Sequence, residues 1–206
     1  MSGLSEGNYD TRVVGDGWQG EVHGYLVHCA ALLLPGARVP VFYNPKQPAT
    51  IPESANRADL ELLITEARGQ LDRQQTELAE IRSRSLGMTT VALTELGLLA
   101  ATAQRFTDAG GWPLGFWIAC FVIVVFGLAG MGSIASSRAD FSDIDITTLL
   151  GKPGELQRMY ANELNDCIPL GYATLDARRT IFRDALLLMA LGAVFYGILW
   201  IVMLGG

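Results

Sequence analysis

The sequence predicts an all-α integral membrane protein with three transmembrane helices, a cytoplasmic stem of two long helices, and a small irregular or β-hairpin N-terminal segment. Three observations predict this fold class. Hydrophobic residues make up 50% of the 206 residues and charged residues only 17%, whereas soluble domains carry roughly 25% charged residues. The apolar residues are concentrated in three stretches, and roughly 20 such residues suffice to cross a bilayer as a helix. Outside these stretches, apolar residues recur at helical spacing among polar ones.

Two of the stretches are strong candidates for transmembrane helices. The stretch 112–136 has no charged side chain, begins with Trp112 and Trp117, and is followed closely by Arg138. Tryptophans near the start and a basic residue beyond the end are typical of a helix that crosses a membrane. The stretch 185–204 is also free of charge and is preceded by three arginines. Both are predicted to span the bilayer.

The third stretch, 86–104, is weaker because it contains Thr94 and Thr102 and carries Glu95 near its middle. The distribution of basic residues favours a span. If 86–104 crosses, 14 of the 15 Lys and Arg residues lie on one side and only Arg105 lies on the other, which is the positive-inside pattern. If only the two stronger stretches cross, this bias disappears. We therefore predict a multi-pass protein of the inner (plasma) membrane with its N-terminus cytoplasmic and its C-terminus outside.

The segment 57–85 is predicted to be a stem helix, because it contains no proline and is rich in strong helix formers. Apolar residues recur there at steps of three and four, as in a coiled coil: Leu60, Ile64, Ala67, Leu71, Leu78 and Ile81, with Gln74 as a polar break. The same stepping continues into 86–104 and beyond through Ser85, Met88, Ala92, Glu95, Leu99, Thr102 and Phe106. These fourteen positions are called the seam, and they predict one continuous helix of roughly 50 residues.

A second cytoplasmic helical region is predicted over 143–184. Pro169 should kink or break it, because proline removes a helical hydrogen bond. Its apolar stripe is predicted to be Leu156, Tyr160, Leu164, Ile168, Tyr172 and Leu175. This region leads into 185–204, so two stem helices leave the membrane on the same side. They are expected to pack on each other or on copies from another subunit.

The first 55 residues differ from the rest, since they are rich in Gly and Pro and show little periodicity. The run 24–34 is apolar but too short to span, a Pro-Gly turn follows, and 38–43 has an extended pattern. These features leave a small β-hairpin or an interfacial segment open. A proline-rich linker over 44–54 then leads into a helical membrane domain, 56–206.

Glu95 is the first candidate for a functional residue, because an ionisable group at membrane depth is expensive to keep. Three roles are open: passage of protons or cations through an oligomer, an interhelical hydrogen bond that fixes assembly, or a shallower position at the membrane interface. Thr94 and Thr102 are the neighbouring polar candidates in the same stretch.

Other polar groups give weaker signals. The cluster of Asp140, Asp143 and Asp145 contains the oxygen ligands that a hard cation prefers, although helix capping also explains it. His23, His28 and Cys29 match no zinc spacing, and no catalytic or nucleotide-binding motif is present. A net charge of −6 argues against a nucleic-acid partner. We therefore expect a protein that is not an enzyme and binds no cofactor. The three widely spaced cysteines are no disulfide framework.

Three segments carry a resemblance to a known group of proteins: 64–97, 117–130 with RADF at 138–141, and 172–192. Together they resemble small bacterial, often actinobacterial, multi-pass membrane proteins. This group looks like the helical membrane effectors of bacterial antiphage systems, exemplified by SLATT-domain proteins and transmembrane Pycsar effectors. The resemblance covers about the last 150 residues and implies damage to the inner membrane on triggering.

Two functions follow as expectations. The first is a non-enzymatic membrane protein whose stem mediates oligomerisation or a response to a signal. The alternative is a pore-forming effector in which Glu95 lines an oligomeric path. The expected partners are the lipid bilayer, further copies of the chain, and a cytoplasmic partner or ligand.

Overall fold

A computed structural model describes residues 18–33, 51–52, 54–136 and 156–205. The described residues form four helices: α1 (Trp18–Leu33), α2 (Arg57–Ala109), α3 (Gly111–Ser136) and α4 (Leu156–Gly205). Three of them, α2, α3 and α4, are long and apolar enough to cross a membrane. No strand occurs among the described residues. The all-helical fold class is therefore confirmed, together with three helices that are able to span.

Helix α2 runs without interruption for 53 residues, as the unbroken spacing of the seam predicts. It begins with a capping box, in which the Asn56 side chain accepts from the Asp59 amide at 3.0 Å and the Asp59 carboxylate accepts from the Asn56 amide at 3.1 Å. It ends at Ala109 and is followed by the C-cap Gly110, whose φ of 60° suits glycine. At 1.5 Å per residue the helix is about 80 Å long.

Helix α4 continues through Pro169 as one helix of 50 residues, so a break at this proline is the wrong expectation. An internal proline costs roughly 3 kcal/mol, but residues on both sides of it are buried, including Leu164, Cys167 and Gly171. Packing of these flanking turns holds the helix together. The Gln74 amide also donates to the Ile168 carbonyl at 3.1 Å.

The buried stripe of α4 differs from the predicted one in the stem. Leu156 and Tyr172 are exposed, whereas Ala161 and Gly171 are buried. The large apolar residues of the predicted stripe are thus partly on the outside. The predicted Leu164 and Leu175 are buried, and small residues share the packed face with them. One of these, Gly171, lies in close contact with Gln74 of α2.

The N-terminal segment requires a correction, since residues 18–33 form helix α1 rather than an irregular segment or one arm of a β-hairpin. One face of α1 packs on α3 and the opposite face is also apolar, so the sequence shows no amphipathic period. The extended pattern over 38–43 lies outside the described residues. So does the predicted helix from 143 to 155.

The helices assemble with α2 and α4 parallel and α3 antiparallel to both. Four contacts between α2 and α4 join residues 92 to 94 positions apart: Arg68 with Tyr160, Gln74 with Ile168, Thr102 with Tyr196, and Phe106 with Trp200. Helix α3 meets α2 through Ser85 with Met131 and through Leu99 with Trp117. The described part therefore has a stem half, formed by 57–85 and 156–184. Its apolar half is formed by 86–109, α3 and 185–205.

Candidate functional site

The seam of α2 faces the other helices of the same chain. All fourteen positions are buried or half-buried. Gln74 reaches Ile168 of α4, and Ser85 donates to the Met131 carbonyl of α3 at 2.7 Å. The described residues of the two stem helices pack on each other within one chain, which is one of the two arrangements open from the sequence; packing with further copies stays a prediction.

The seam consists of two rows with a seven-residue repeat, and the deeper row changes along the helix. Up to Gln74, the row of Leu60, Ala67 and Gln74 is buried. From Leu78 onward the other row is buried: Leu78, Ser85, Ala92, Leu99 and Phe106. A straight α-helix drifts about 20° per heptad against a strict seven-residue repeat, and α3 joins the bundle only near Ser85. The row that contains Leu60, Ala67 and Gln74 therefore continues into the apolar half as half-buried residues.

Gln74 is the polar member of the seam in the stem half. Its side chain is 2% exposed and donates from Nε2 to the Ile168 carbonyl. It lies directly on Gly171, where an added Cβ would come 2.0 Å from Oε1. Within the described part, Oε1 has no hydrogen-bond partner. Gln74 and Gly171 thus form a close polar contact between the two stem helices.

Glu95 belongs to the same row as Gln74, three heptads later, and is half-buried. It lies between the fully buried Ala92 and Leu99 on one side and the exposed Val91 and Leu98 on the other. Its Oε2 atom is buried and has no hydrogen-bond partner among the described residues. The carboxyl group is therefore at the edge of the helix interface, in the middle of the apolar stretch of α2.

The two predicted threonine neighbours do not join Glu95 in one cluster. Thr94 is exposed, and its hydroxyl donates to the Thr90 carbonyl at 2.9 Å. Thr102 is half-buried, donates to the Leu98 carbonyl at 3.0 Å, and accepts from the Tyr196 hydroxyl at 3.1 Å. Both hydroxyls are satisfied, which leaves Glu95 as the one group of this set with an unmatched oxygen.

An aromatic cluster, not predicted as a unit, closes the apolar half at the α2–α3 turn. Phe106 packs edge-on against Trp200 at 6.3 Å between ring centroids, and the Arg105 guanidinium lies 4.8 Å from the Trp200 ring centroid. Trp117 donates from its indole to the Leu99 carbonyl at 3.2 Å. Tryptophans with a basic residue are typical of a membrane interface. Trp200 is about 94 residues from Phe106 and Arg105 in the sequence, so no local pattern indicates these contacts.

Ion pairs mark the opposite border, where the stem half meets the apolar half. Arg179 contacts Glu77 at 2.8 Å, and Arg183 contacts Glu21 of α1 at 3.5 Å. Between the two borders the outer surface is apolar. Its exposed large side chains are Leu86, Val91, Leu93, Leu98, Ile118, Val122, Val125, Phe126, Leu187, Leu191, Val194, Ile198, Ile201 and Val202.

Among the described residues, the metal and cysteine candidates form no site. Asp140, Asp143 and Asp145 lie outside the described residues. Across the described ranges, no group of three or more His, Cys, Asp or Glu side chains could hold a metal ion. His28 and Cys29 face inward on α1 while His23 is exposed, so they do not converge.

Close contacts between glycine backbones and side chains of neighbouring helices hold α3 in place. A Cβ on Gly192 of α4 would come 2.6 Å from the Val124 side chain, and one on Gly127 would come 2.8 Å from Met189. A Cβ on Gly130 would come 2.3 Å from the Tyr25 hydroxyl. Small residues that let helices approach closely are typical of membrane helix packing.

The comparisons with known proteins add no relative to this picture. No family model, no curated protein and no solved structure matches the chain.

Proposed function

We propose that this chain is a non-enzymatic protein of the inner membrane whose cytoplasmic stem responds to a signal and controls the association of its spans. One observation carries the proposal: α2 and α4 each run unbroken from the polar stem half into the apolar half. Because they are parallel and stay in register, a displacement of one stem helix against the other moves the attached spans.

The membrane placement in this proposal is supported by two features. The apolar outer surface lies between an aromatic border and a border of ion pairs, and a bilayer covers such a surface at no cost to the apolar groups. The stem is cytoplasmic in the proposal, because 14 of the 15 basic residues then lie on the inner side.

Self-association in this proposal uses the outer surface of the spans. The buried row of the seam is already packed within the chain, so this row is not free for a second copy. Glu95 lies at the edge of that packing, beside the exposed Val91 and Leu98. A second copy that packs there offers its unmatched oxygen a donor, which is the assembly role for this residue.

The test combines a stem lock with a cross-link between copies. Arg68→Cys and Tyr160→Cys, whose native side chains touch at 3.0 Å, are joined by a short bifunctional thiol reagent. A photoreactive amino acid at Leu93, 56% exposed on α2, then reports contact between copies in membranes. The matched control carries it at Leu62, 72% exposed in the stem.

We expect Leu93 to give cross-linked dimers whose yield changes several-fold when the stem is locked, while Leu62 gives none. Dimers at Leu93 whose yield ignores the lock would overturn the control of association by the stem. Dimers at Leu62 alone would move self-association to the stem.

A second function, a pore-forming effector of a bacterial defence system, is favoured by the unmatched carboxyl oxygen of Glu95. In this alternative the residue lines a path between copies and lowers the cost of a cation or proton in the apolar region. Ion flux into vesicles that contain the purified chain tests it, with Glu95→Gln against Glu80→Gln in the stem. The pore requires flux that Glu95→Gln reduces and Glu80→Gln leaves intact. Vesicles without flux would overturn the pore.

A further inference from the structure

Helix α1 has two different faces, and the other described helices cover one of them. On the covered face, the Tyr25 hydroxyl donates to the Phe126 carbonyl at 2.8 Å and its ring lies over Gly130. Cys29, one turn further, is 8% exposed and faces the same carbonyl. This face fixes α1 to the outside of α3.

The opposite face is exposed and mainly apolar, with Gln19 and His23 as its exposed polar residues near the N-terminal end. Trp18, Val22 and Leu26 follow one another at steps of four and are 72%, 49% and 45% exposed. No Asp, Glu, Lys or Arg occurs over 22–33. At 1.5 Å per residue these twelve residues cover about 18 Å, which is more than half of the roughly 30 Å hydrocarbon core of a bilayer.

Contacts to the other helices give the depth of α1 relative to the apolar half. Its first turn is at the charged border, because Glu21 pairs there with Arg183, two residues before the apolar stretch 185–204. Its later turns reach Phe126, near the middle of the apolar stretch 112–136. The contacts of α1 therefore extend from the border on the stem side, at Glu21, toward the middle of the apolar surface, at Phe126.

The exposed face of α1 is continuous with the exposed surface of α3. Phe126, whose carbonyl holds Tyr25, is itself 40% exposed, and Val122 and Val125 beside it are 43% and 39% exposed. The hydrocarbon of a bilayer is the environment that suits an apolar surface shared by two adjoining helices at the same depth. An exposed apolar stripe in water would instead mark an interaction site or an aggregation risk.

We propose that α1 is a half-spanning helix, inserted from the stem side and packed on α3, and that acyl chains of the stem-side leaflet cover Trp18, Val22 and Leu26. This inference rests on the proposed membrane placement of α3. It adds a fourth membrane segment that is confined to one leaflet, where α1 contacts lipid directly and contacts the spans through Tyr25.

Nitroxide labels on the full chain in phosphatidylcholine and phosphatidylglycerol vesicles test the proposal. Leu26→Cys and Val22→Cys report on α1, Val122→Cys reports on α3, and Leu62→Cys reports on an exposed apolar residue of the stem. The label's collisions with oxygen, which enters lipid, are compared with its collisions with a water-soluble nickel complex. The three native cysteines are buried, and the unsubstituted chain sets the background.

We expect Leu26 to resemble Val122, with oxygen collisions exceeding nickel collisions several-fold, and Leu62 to show the reverse. Nickel access at Leu26 equal to that at Leu62 would place α1 in water and overturn the inference. Low access to both reagents at Leu26 would mean that protein covers this face, which also overturns it. Val22→Cys repeats the test if Leu26→Cys fails to insert. Nickel access at Val122 would refute the membrane placement itself, so the two failures are distinguishable.

Discussion

The stem half and the apolar half are built on the same two helices and the same seam, yet each solves the problem of a polar seam residue differently. In the stem, Gln74 is fully enclosed, and its amide donates to Ile168. In the apolar half, Glu95 takes the same heptad position, but it is half-buried and its Oε2 has no partner among the described residues. The stem thus encloses its polar group and satisfies its amide donor while Oε1 stays unmatched, whereas the apolar half presents a polar group at its edge.

This difference follows from what surrounds each half. The outer surface of the stem carries exposed ion pairs, for example Arg179 with Glu77, so its interior is the apolar part. In the other half the outside is apolar as well, and helix association there depends on close packing and hydrogen bonds. An unmatched polar atom is costly in both halves. In the apolar half, however, Glu95 lies at the edge of the packing, where a second copy or an ion can supply a partner for its carboxyl group.

The largest expected effect is in the stem core. Leu78, 4% exposed, is the point where the buried row of the seam changes, and Leu78→Ala should lower the free energy of unfolding of the stem by about 2–5 kcal/mol. Leu62→Ala, at a 72% exposed position, should stay within about 0.5 kcal/mol. The labelling rate of Cys167, 6% exposed in the same half, measures opening. Each 1.4 kcal/mol changes the opening equilibrium about tenfold. Equal rates in both variants would contradict the enclosed stem.

The second effect separates the two ways of removing the Gln74 amide. Gln74→Glu places an ionisable group beside the Ile168 carbonyl without a donor and should destabilise the stem by about 3 kcal/mol. Gln74→Leu loses the hydrogen bond but also removes the unmatched Oε1, so its cost should be about 1 kcal/mol or less. Thermal unfolding in detergent at neutral pH ranks the variants. If Gln74→Leu lowers the unfolding temperature more than Gln74→Glu does, the enclosed environment of Gln74 is contradicted.

The third effect tests the close packing of the apolar half. Gly192→Ala brings a Cβ to 2.6 Å from the Val124 side chain, and overpacking of this kind costs about 1–3 kcal/mol. Gly197→Ala is the matched control on the same helix, because its Cβ would meet nothing within 4 Å. Thermal stability in detergent micelles measures both. A loss of the same size at both positions would show that α3 and α4 are not packed closely at Gly192.

The smallest effect is at the border between the halves. Arg179→Ala removes contacts to Glu77 at 2.8 Å and to Asp176 at 3.7 Å, but all three side chains are about half exposed. Such pairs contribute roughly 0–1 kcal/mol, and added salt should weaken the contribution further. A measured loss of 2 kcal/mol or more, unchanged by salt, would mean that this border is more enclosed than its exposure indicates.

Features that repeat along the chain could be predicted from the sequence. The seam follows a seven-residue repeat with strong helix formers, so its residues and the length of α2 were accessible from spacing alone. The continuity of α4 through Pro169 was not, because it depends on packing of Cys167 and Gly171 against another helix. The spacing also predicts Tyr172 on the packed face, whereas it is exposed.

Other features could not be predicted from the sequence, because they depend on glycines or on a helix without a hydrophobic period. Gly130 and Gly171 form close contacts, and a glycine in the sequence does not say which side chain will lie over it. Helix α1 is apolar on both faces, so no period marked it as a helix. The sequence predicts that Glu95 lies within the apolar stretch. It does not predict that Glu95 lies at the edge of the helix packing, because this position results from the gradual rotation of the seam along α2.

The central claim is that the stem lies on the cytoplasmic side and that α2 crosses the membrane to its far end. A membrane-impermeant maleimide applied to intact cells tests it with Asp108→Cys, exposed at the end of α2, and Leu62→Cys, exposed in the stem. The account predicts that Asp108→Cys is labelled from outside and that Leu62→Cys is labelled only after the cells are permeabilised. Labelling of Asp108→Cys only after permeabilisation, or of Leu62→Cys in intact cells, would contradict it.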